Sequence, residues 1–296
     1  MSELPRVAAY PVALQAAVDA YLGELSFATD PATAGLEEAM RYSLLAPGKR
    51  VRPVLALATA EALGRGHEEV MPLAASLELV HTYSLIHDDL PAMDDDELRR
   101  GRPTCHVAYG EDVAILAGDG LFAEALRLIL DRQPGAPANV MAALRALVAA
   151  VAVDGMVGGQ YFDVTGSGDL DGPALRRLHE LKTGRLIAAS IECVLLLTGS
   201  DPDAAPPFRR FASELGVLFQ IVDDILDVTA DEATLGKPLR SDERHGKSTY
   251  VSVYGLSHAR ELAGFSHAKA RHALAEAGGR TETLEQITDY ILTRPT

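Results

Sequence analysis

Apolar positions recur at intervals of three and four residues along most of the chain, with polar positions in the opposite phase. That period marks amphipathic helix. Ala, Leu and Glu fill these segments and suit helix interiors. The pattern predicts about ten helices, over roughly 6–25, 34–46, 51–63, 68–90, 111–132, 138–163, 172–199, 207–229, 250–276 and 281–293. Turn chemistry separates them at Ala46-Pro47-Gly48, at Pro134, Gly135 and Pro137, at Thr165-Gly166-Ser167-Gly168 and at Pro206-Pro207. Strand signals are scarce, and no glycine-rich phosphate loop follows a strand. The polar stretch from Asp231 to Thr249 reads as a long loop or lid. No linker or composition shift divides the chain, so one all-α domain over 1–296 is expected. Its best candidates for buried central helices are 68–90 and 207–229.

Composition narrows the partners. With 48% apolar residues, the 296-residue chain can bury a sizeable core. A net charge of −15 argues against nucleic acid and against an anionic membrane surface. Cys105 and Cys193 lack metal-ligand spacing and read as reduced thiols of a cytoplasmic protein. The N-terminus carries no export pattern. Asp154 and Glu192 interrupt the two most apolar runs, so no membrane span is expected.

Candidate chemistry concentrates where the fourth predicted helix stops. His87-Asp88-Asp89-Leu90-Pro91-Ala92-Met93-Asp94-Asp95-Asp96-Glu97 follows an apolar helical pattern, and Pro91 ends the helix. Asp88 and Asp89 therefore fall at the negative end of the helix dipole, which costs roughly 0.3–1 kcal/mol per charge. A cation should offset them, and a hard divalent metal suits ligands that are all oxygens. Val222-Asp223-Asp224-Ile225-Leu226-Asp227 repeats the device near the end of another apolar helix, with Asp223 and Asp227 on one face. Two such sets suggest one cavity with acids on opposite walls.

Cations point the same way. Of 27 basic residues only five are lysines, and Lys49, Lys182, Lys237 and Lys247 each lie beside a glycine or at a helix boundary. A compact point charge there suits phosphate. Arg99 and Arg100 follow the first acid motif, and Arg52 lies one turn after Lys49. Acids and cations in one cavity fit a polyphosphate bound through Mg²⁺. Zinc fits less well, because no His/Cys cluster accompanies the acids. His81, Ser84 and Asp88 share one helical stripe. Nothing resembles a covalent nucleophile with its base.

These residues resemble the trans-prenyltransferases, the polyprenyl diphosphate synthase family, and most of all its bacterial farnesyl diphosphate synthase type. Asp88-Asp89-x4-Asp94 is similar to the family's first aspartate motif in its longer form, and Asp223-Asp224-x2-Asp227 to its second. Gly48-Lys49-Arg50-x-Arg52-Pro53, Gly159-Gln160-x2-Asp163, Lys182-Thr183-Gly184, Phe219-Gln220 and Gly246-Lys247-Ser248-Thr249 fall in family order, over about residues 34–294. The resemblance implies an isoprenoid synthase fold, all-α, with ten or more helices around a deep central cavity, as a homodimer. It implies Mg²⁺, three ions per active site with Mn²⁺ as a substitute, held by Asp88, Asp89, Asp94, Asp223, Asp224 and Asp227. The allylic diphosphate would be held by Arg99, Lys182, Thr183, Gln220, Lys237 and Lys247. Isopentenyl diphosphate would be held by Lys49, Arg52, His81 and Arg100. Catalysis would centre on Asp88, Asp94, Asp223, Lys182 and Lys237. The implied reaction condenses isopentenyl diphosphate with dimethylallyl or geranyl diphosphate, to (E,E)-farnesyl diphosphate.

The long first motif and an aromatic five residues before it go, by resemblance, with stopping at fifteen carbons. Tyr83, with Ser84, is the expected floor for the growing chain. Geranylgeranyl diphosphate synthase is the nearest rival reading. A non-catalytic partner subunit is a rival from another class, although such subunits tend to lose one aspartate motif. Glu97 stands where relatives often carry a further aspartate, and 240–245 is more charged than usual for the lid. The C-terminal Tyr290-Ile291-Leu292-Thr293-Arg294 resembles a tail that covers the isopentenyl site.

Overall fold

A computed structural model describes residues 8–166, 170–229 and 247–294. Lys237, the charged segment 240–245, most of the expected loop at 231–249, and Ser167 and Gly168 lie outside the described residues. Helices dominate, as the pattern requires. They are α1 (Val12–Glu24), α2 (Ala34–Leu44), α3 (Val51–Ala62), α4 (Met71–Asp88), α5 (Cys105–Tyr109), α6 (Glu111–Arg132), α7 (Pro137–Val151), α8 (Met156–Thr165), α9 (Gly172–His179), α10 (Arg185–Thr198), α11 (Ala205–Thr229), α12 (Tyr250–Tyr254), α13 (Leu256–Ala277) and α14 (Glu282–Thr293).

Three predicted helices are each two. The helix expected over 138–163 breaks at 152–155, because an apolar period continues through a short irregular turn that contains no proline. The helix expected over 172–199 is interrupted by a π-turn at Glu180–Gly184. The helix expected over 250–276 is broken at Gly255, whose φ is 78°. Other boundaries also move. Helix α1 starts at Val12 rather than near 6, with Pro11 at its N-cap. Pro206 and Pro207 lie inside the first turn of α11, where a missing N–H costs nothing. Among the described residues the only strands are Leu98–Arg99 and Arg102–Pro103, an antiparallel hairpin that the helical pattern did not anticipate.

The core runs between α3, α4, α10 and α11. Helix α4 is buried from Pro72 to Val80 and again at Thr82, Tyr83 and Ile86, as expected of a central helix. Helix α3 is enclosed almost throughout, which its pattern did not single out. Helix α11 buries one face and packs along α13, while α4 packs along α6. Both acid-bearing helices thus rest on apolar faces and deliver their carboxylates where that packing ends. Cys105 and Cys193 are buried free thiols. The one stretch among the described residues long and apolar enough to cross a membrane is 137–165, and it forms α7 and α8 with the turn between them.

Candidate active site

The first acid motif closes α4. Asp88 is its last residue and Asp89 its C-cap. The chain then folds back on itself, and the Asp94 N–H donates to the Asp88 carbonyl at 2.9 Å. The six-residue loop therefore returns Asp94 towards Asp88. Burial raises the Asp88 carboxyl above its ordinary value, Lys182 opposes that shift, and Asp94 adds to it. Two carboxylates this placed attract a cation strongly.

Asp89 has a different environment. Its side chain is 5% exposed and ion-paired with Arg99, whose Nε donates to Asp89 Oδ1 at 2.6 Å. Burial pushes the Asp89 carboxyl up to about 6 even so. The helix-end charge that seemed to require a metal is thus met in part by an arginine of the same chain. That arginine comes from the hairpin. Arg100 and Gly101 both take positive φ, 54° and 73°, as a two-residue turn of this hand demands. The turn sends Arg99 to Asp89, and Arg100 Nη1 donates to the Pro47 carbonyl at 2.9 Å. Asp89, Arg99 and Arg100 also line a small cavity with Tyr42 and Thr82, behind the acid motif.

The second motif lies on α11. Asp224 is buried and accepts from Gln220 Nε2 at 2.8 Å and from the Tyr250 N–H at 2.7 Å. Asp227 is buried as well. The Asp223 side chain is 54% exposed and pairs with Arg294 Nη2 at 2.6 Å. Gln220 Oε1 accepts from Thr183 Oγ1 at 3.1 Å, which ties α11 to the π-turn.

That turn matters because an extra residue in it pushes Lys182 and Thr183 out of helical register. Helix α8 packs against it so closely that a Cβ on Gly159 would lie 2.2 Å from the Lys182 backbone nitrogen. Only glycine permits this approach. It lets Asp163, one turn further on, accept from Lys182 Nζ at 2.6 Å. Lys247 Nζ lies 3.7 Å from the same Asp163 carboxylate and bonds Asp94 at 2.8 Å. Lys182 acts on Asp88, and His179 responds to Asp163, Lys182 and Asp223 together. The two acid walls and α8 therefore share one electrostatic environment.

Beside it is a region with cations in excess. Arg52 is 8% exposed, its Nε has no hydrogen-bond partner, and it forms no ion pair among the described residues. Burial lowers its guanidinium to about 10. Burial likewise drives His81 well below its ordinary value, reinforced by Arg52, Arg100 and Arg99. A Cβ on Gly48 would meet Arg100 Nη1 at 2.3 Å, so the glycine before Lys49 makes room for that arginine. Lys49 Nζ rests over the rings of Tyr10 and Tyr290, at 5.8 and 5.6 Å. By contrast, Arg50 is not part of this set. It is left-handed at φ 53° and makes a buried pair with Glu78 at 2.8 Å.

Tyr83 packs on Phe122 of α6, ring centroids 5.3 Å apart, and is 9% exposed. Ser84 Oγ donates back to the His81 carbonyl at 2.8 Å. Several residues of this site had no role in the sequence reading: Asp163, His179, Phe122, Phe219 and Tyr250. Only Asp163 and Phe219 had a signal, in the motifs Gly159-Gln160-x2-Asp163 and Phe219-Gln220. Gln160, from the Gly159 motif, has both amide atoms buried without a partner among the described residues.

Among the described residues no three acids or histidines converge into a ready-made metal site. The donor set explains that. Asp89, Asp94, Asp163 and Asp223 each hold a cation of the chain. All the available donors are hard carboxylate oxygens, which fits Mg²⁺ and not a thiolate-seeking metal.

Comparison with known proteins identifies the family. The polyprenyl synthetase family model matches residues 33–291. The chain is 43% identical to a chloroplastic geranylgeranyl pyrophosphate synthase of Capsicum annuum over 88% of its own length and 71% of that protein's. It is 42% identical to the farnesyl diphosphate synthase of Escherichia coli over 94% of each chain. A crystal structure of a Helicobacter pylori geranyltransferase complexed with magnesium and isoprenyl diphosphate superposes with a TM-score of 0.84 at 32% identity, covering 95% of this chain and 94% of that one. The fold is that of the isoprenyl diphosphate synthases, and the chain belongs to the polyprenyl synthetase family as a trans-prenyltransferase.

Proposed function

We propose that the chain condenses isopentenyl diphosphate with dimethylallyl and geranyl diphosphates and stops at (E,E)-farnesyl diphosphate. One observation carries the reading: a mixed array of acid–cation pairs lies beside a pocket of cations in excess. The mixed array, with Asp88, Asp94 and Asp223 against Lys182, Lys247 and Arg99, suits a diphosphate that arrives with divalent metal. The other pocket, with Lys49, Arg52, His81 and Arg100, suits a diphosphate bound directly. Two anion sites of different character are what a two-substrate condensation needs.

Mg²⁺ is the proposed cofactor, held by Asp88, Asp94 and Asp223, and it would neutralise charge on the departing diphosphate. Lys182 and Lys247 stabilise that same charge from fixed positions. The allylic C–O bond breaks with its electron pair leaving on the diphosphate, the isopentenyl double bond attacks the resulting allylic cation, and a proton passes to the released diphosphate as the new double bond forms. No protein nucleophile is needed. Arg52, buried and in no ion pair among the described residues, holds the second diphosphate. His81, kept neutral, leaves that pocket's charge to the arginines and Lys49.

Farnesyl and geranylgeranyl synthases both occur among the relatives, at similar identity. Tyr83 favours the shorter product, because its ring fills the space between α4 and α6 about 7.5 Å below Asp88 at helical rise. A second copy of the chain is the proposed partner. Met141 and Val148 of α7 and Val157, Tyr161 and Val164 of α8 are exposed apolar side chains that such a copy would cover.

The deciding experiment gives the purified protein Mg²⁺, isopentenyl diphosphate and, separately, C5, C10 or C15 allylic diphosphate. Extension of the first two to C15, with the third inert, is the expected outcome. Extension of C15 to C20 would make the product geranylgeranyl diphosphate. No turnover with any starter would favour a non-catalytic subunit of a heteromeric synthase.

A further inference from the structure

Helix α14 ends in the site. The Arg294 N–H donates to the Tyr290 carbonyl at 2.7 Å, so this residue completes the helix's last turn. Its guanidinium lies over the Phe219 ring, 4.7 Å from the centroid, while Nη2 donates to Asp223 Oδ1 at 2.6 Å. Phe219 and Asp223 are four residues apart on α11 and share a face. Ring and carboxylate together form a seat for a planar cation.

This differs from an ordinary surface pair. The Arg294 side chain is 14% exposed, and its Nε is buried without a partner among the described residues. A side chain held by stacking, burial and a charged hydrogen bond does not drift off at each fluctuation. Asp223 is thus already neutralised in the substrate-free chain. An oxygen that accepts a guanidinium N–H along its lone pair is a poor ligand for an incoming metal at the same time.

We propose that Arg294 is a counter-ion gate on the second carboxylate motif: it occupies Asp223 in the substrate-free protein, and a divalent cation gains Asp223 only as Arg294 leaves. The inference rests on the assignment of Asp223 as a metal ligand. A metal arriving alone must displace the guanidinium with nothing to receive it. A metal arriving with diphosphate brings an anion that can take the released arginine. The same helix carries Tyr290 one turn earlier, under Lys49 of the other pocket. The gate helix therefore touches both proposed substrate sites.

The test uses the full-length, substrate-free protein and Mn²⁺, with binding isotherms from the electron-spin signal of the free ion. Wild type, R294A, R294Q, D223N and the R294A/D223N double variant are compared, each checked for its helical circular dichroism. R294Q keeps a side chain over Phe219 if R294A should fold poorly. The expected result is that R294A and R294Q bind Mn²⁺ about three- to tenfold more tightly than wild type, the size of a partly buried ion pair. That gain should vanish when Asp223 is also replaced. Identical isotherms for wild type and both Arg294 variants, with a site lost in D223N, would overturn the gate and leave the metal assignment standing. An R294A isotherm left unchanged when D223N is added would overturn the metal assignment and the gate with it.

Discussion

Lys247 Nζ donates to both carboxylate oxygens of Asp94, at 2.8 and 2.9 Å, across 153 positions of the chain. The pair joins the loop after α4 to the residues just before α12. It is one of several in which an acid of the site holds a cation of the site. Such pairs are exchangeable. A metal–diphosphate complex can take the acid through its metal and the lysine through its phosphate, so the protein's charges change partners without being stranded.

Replacing Lys247 with alanine should therefore harm catalysis far more than stability. Its side chain is 21% exposed and that of Asp94 19%, and solvent weakens such a pair. Thermal denaturation should shift by only a few degrees. The kcat/KM for the allylic diphosphate should fall about 100-fold, the loss of one charged contact to the leaving group. A variant with wild-type kcat/KM would remove Lys247 from the diphosphate site.

Arg52 predicts the opposite balance. A largely buried guanidinium whose Nε has no partner among the described residues is a burden in the substrate-free fold. Arg52→Met keeps the length and the apolar stem but removes the charge. The variant should be more stable by about 1 kcal/mol, by chemical denaturation. Its KM for isopentenyl diphosphate should rise about 30-fold or more, with the allylic KM little changed. Lower stability, or loss confined to the allylic substrate, would show that Arg52 has structural work instead.

These two residues also mark what the sequence disclosed. Lys247 and Arg52 could be singled out because a scarce residue type recurs beside glycine or one turn from another cation. The acid motifs could be placed because Pro91 ends α4 where the acids begin. The partners could not be read. Arg99 reaches Asp89 only because Arg100 and Gly101 form a tight turn of a hairpin too short to show strand periodicity. Arg294 meets Asp223 from 71 positions away, and no local pattern encodes such a contact. The π-turn at Glu180–Gly184 leaves the apolar period nearly intact, so α9 and α10 looked like one helix. Spacing reveals faces of single elements, and the site is made where faces of different elements meet.

His179 gives a prediction in pH. Its ring stacks on Tyr250 at 5.5 Å, and burial lowers it from 6.5 to about 4. The folded state then binds fewer protons than the unfolded one between those values. Its contribution to stability is full above about pH 6.5 and is lost as pH falls towards 4, on the order of 3 kcal/mol in all. Asp89 acts in the other sense, since its folded value lies above its ordinary one and favours the folded state as pH falls through about 6. The whole-protein curve blends both, so the difference between wild type and His179→Phe is the useful quantity. Phenylalanine keeps the stack and cannot titrate. That difference, from denaturant unfolding, should shift against wild type between pH 7 and pH 4.5. A constant difference across the range would mean that His179 titrates normally.

Tyr83 tests the limit on product length. Its ring is held by Phe122 at 5.3 Å and by His87 at 5.8 Å, with burial raising the phenol to about 12. A ring fixed on two sides is a firm stop, whereas a mobile one would yield to a growing chain. Tyr83→Ala removes the stop and exposes Phe122 as the next layer. With geranyl diphosphate as starter the variant should form C20 and longer products, read by chromatographic chain length, at a cost of about 2–4 kcal/mol in stability. Tyr83→Phe keeps the ring and loses only the hydroxyl, so it should still stop at C15. If alanine also stops at C15, the floor lies elsewhere, and Phe122→Ala becomes the informative variant because its ring backs the same space. If phenylalanine lengthens the product, the hydroxyl rather than the bulk sets the limit, and a steric floor at this position is excluded.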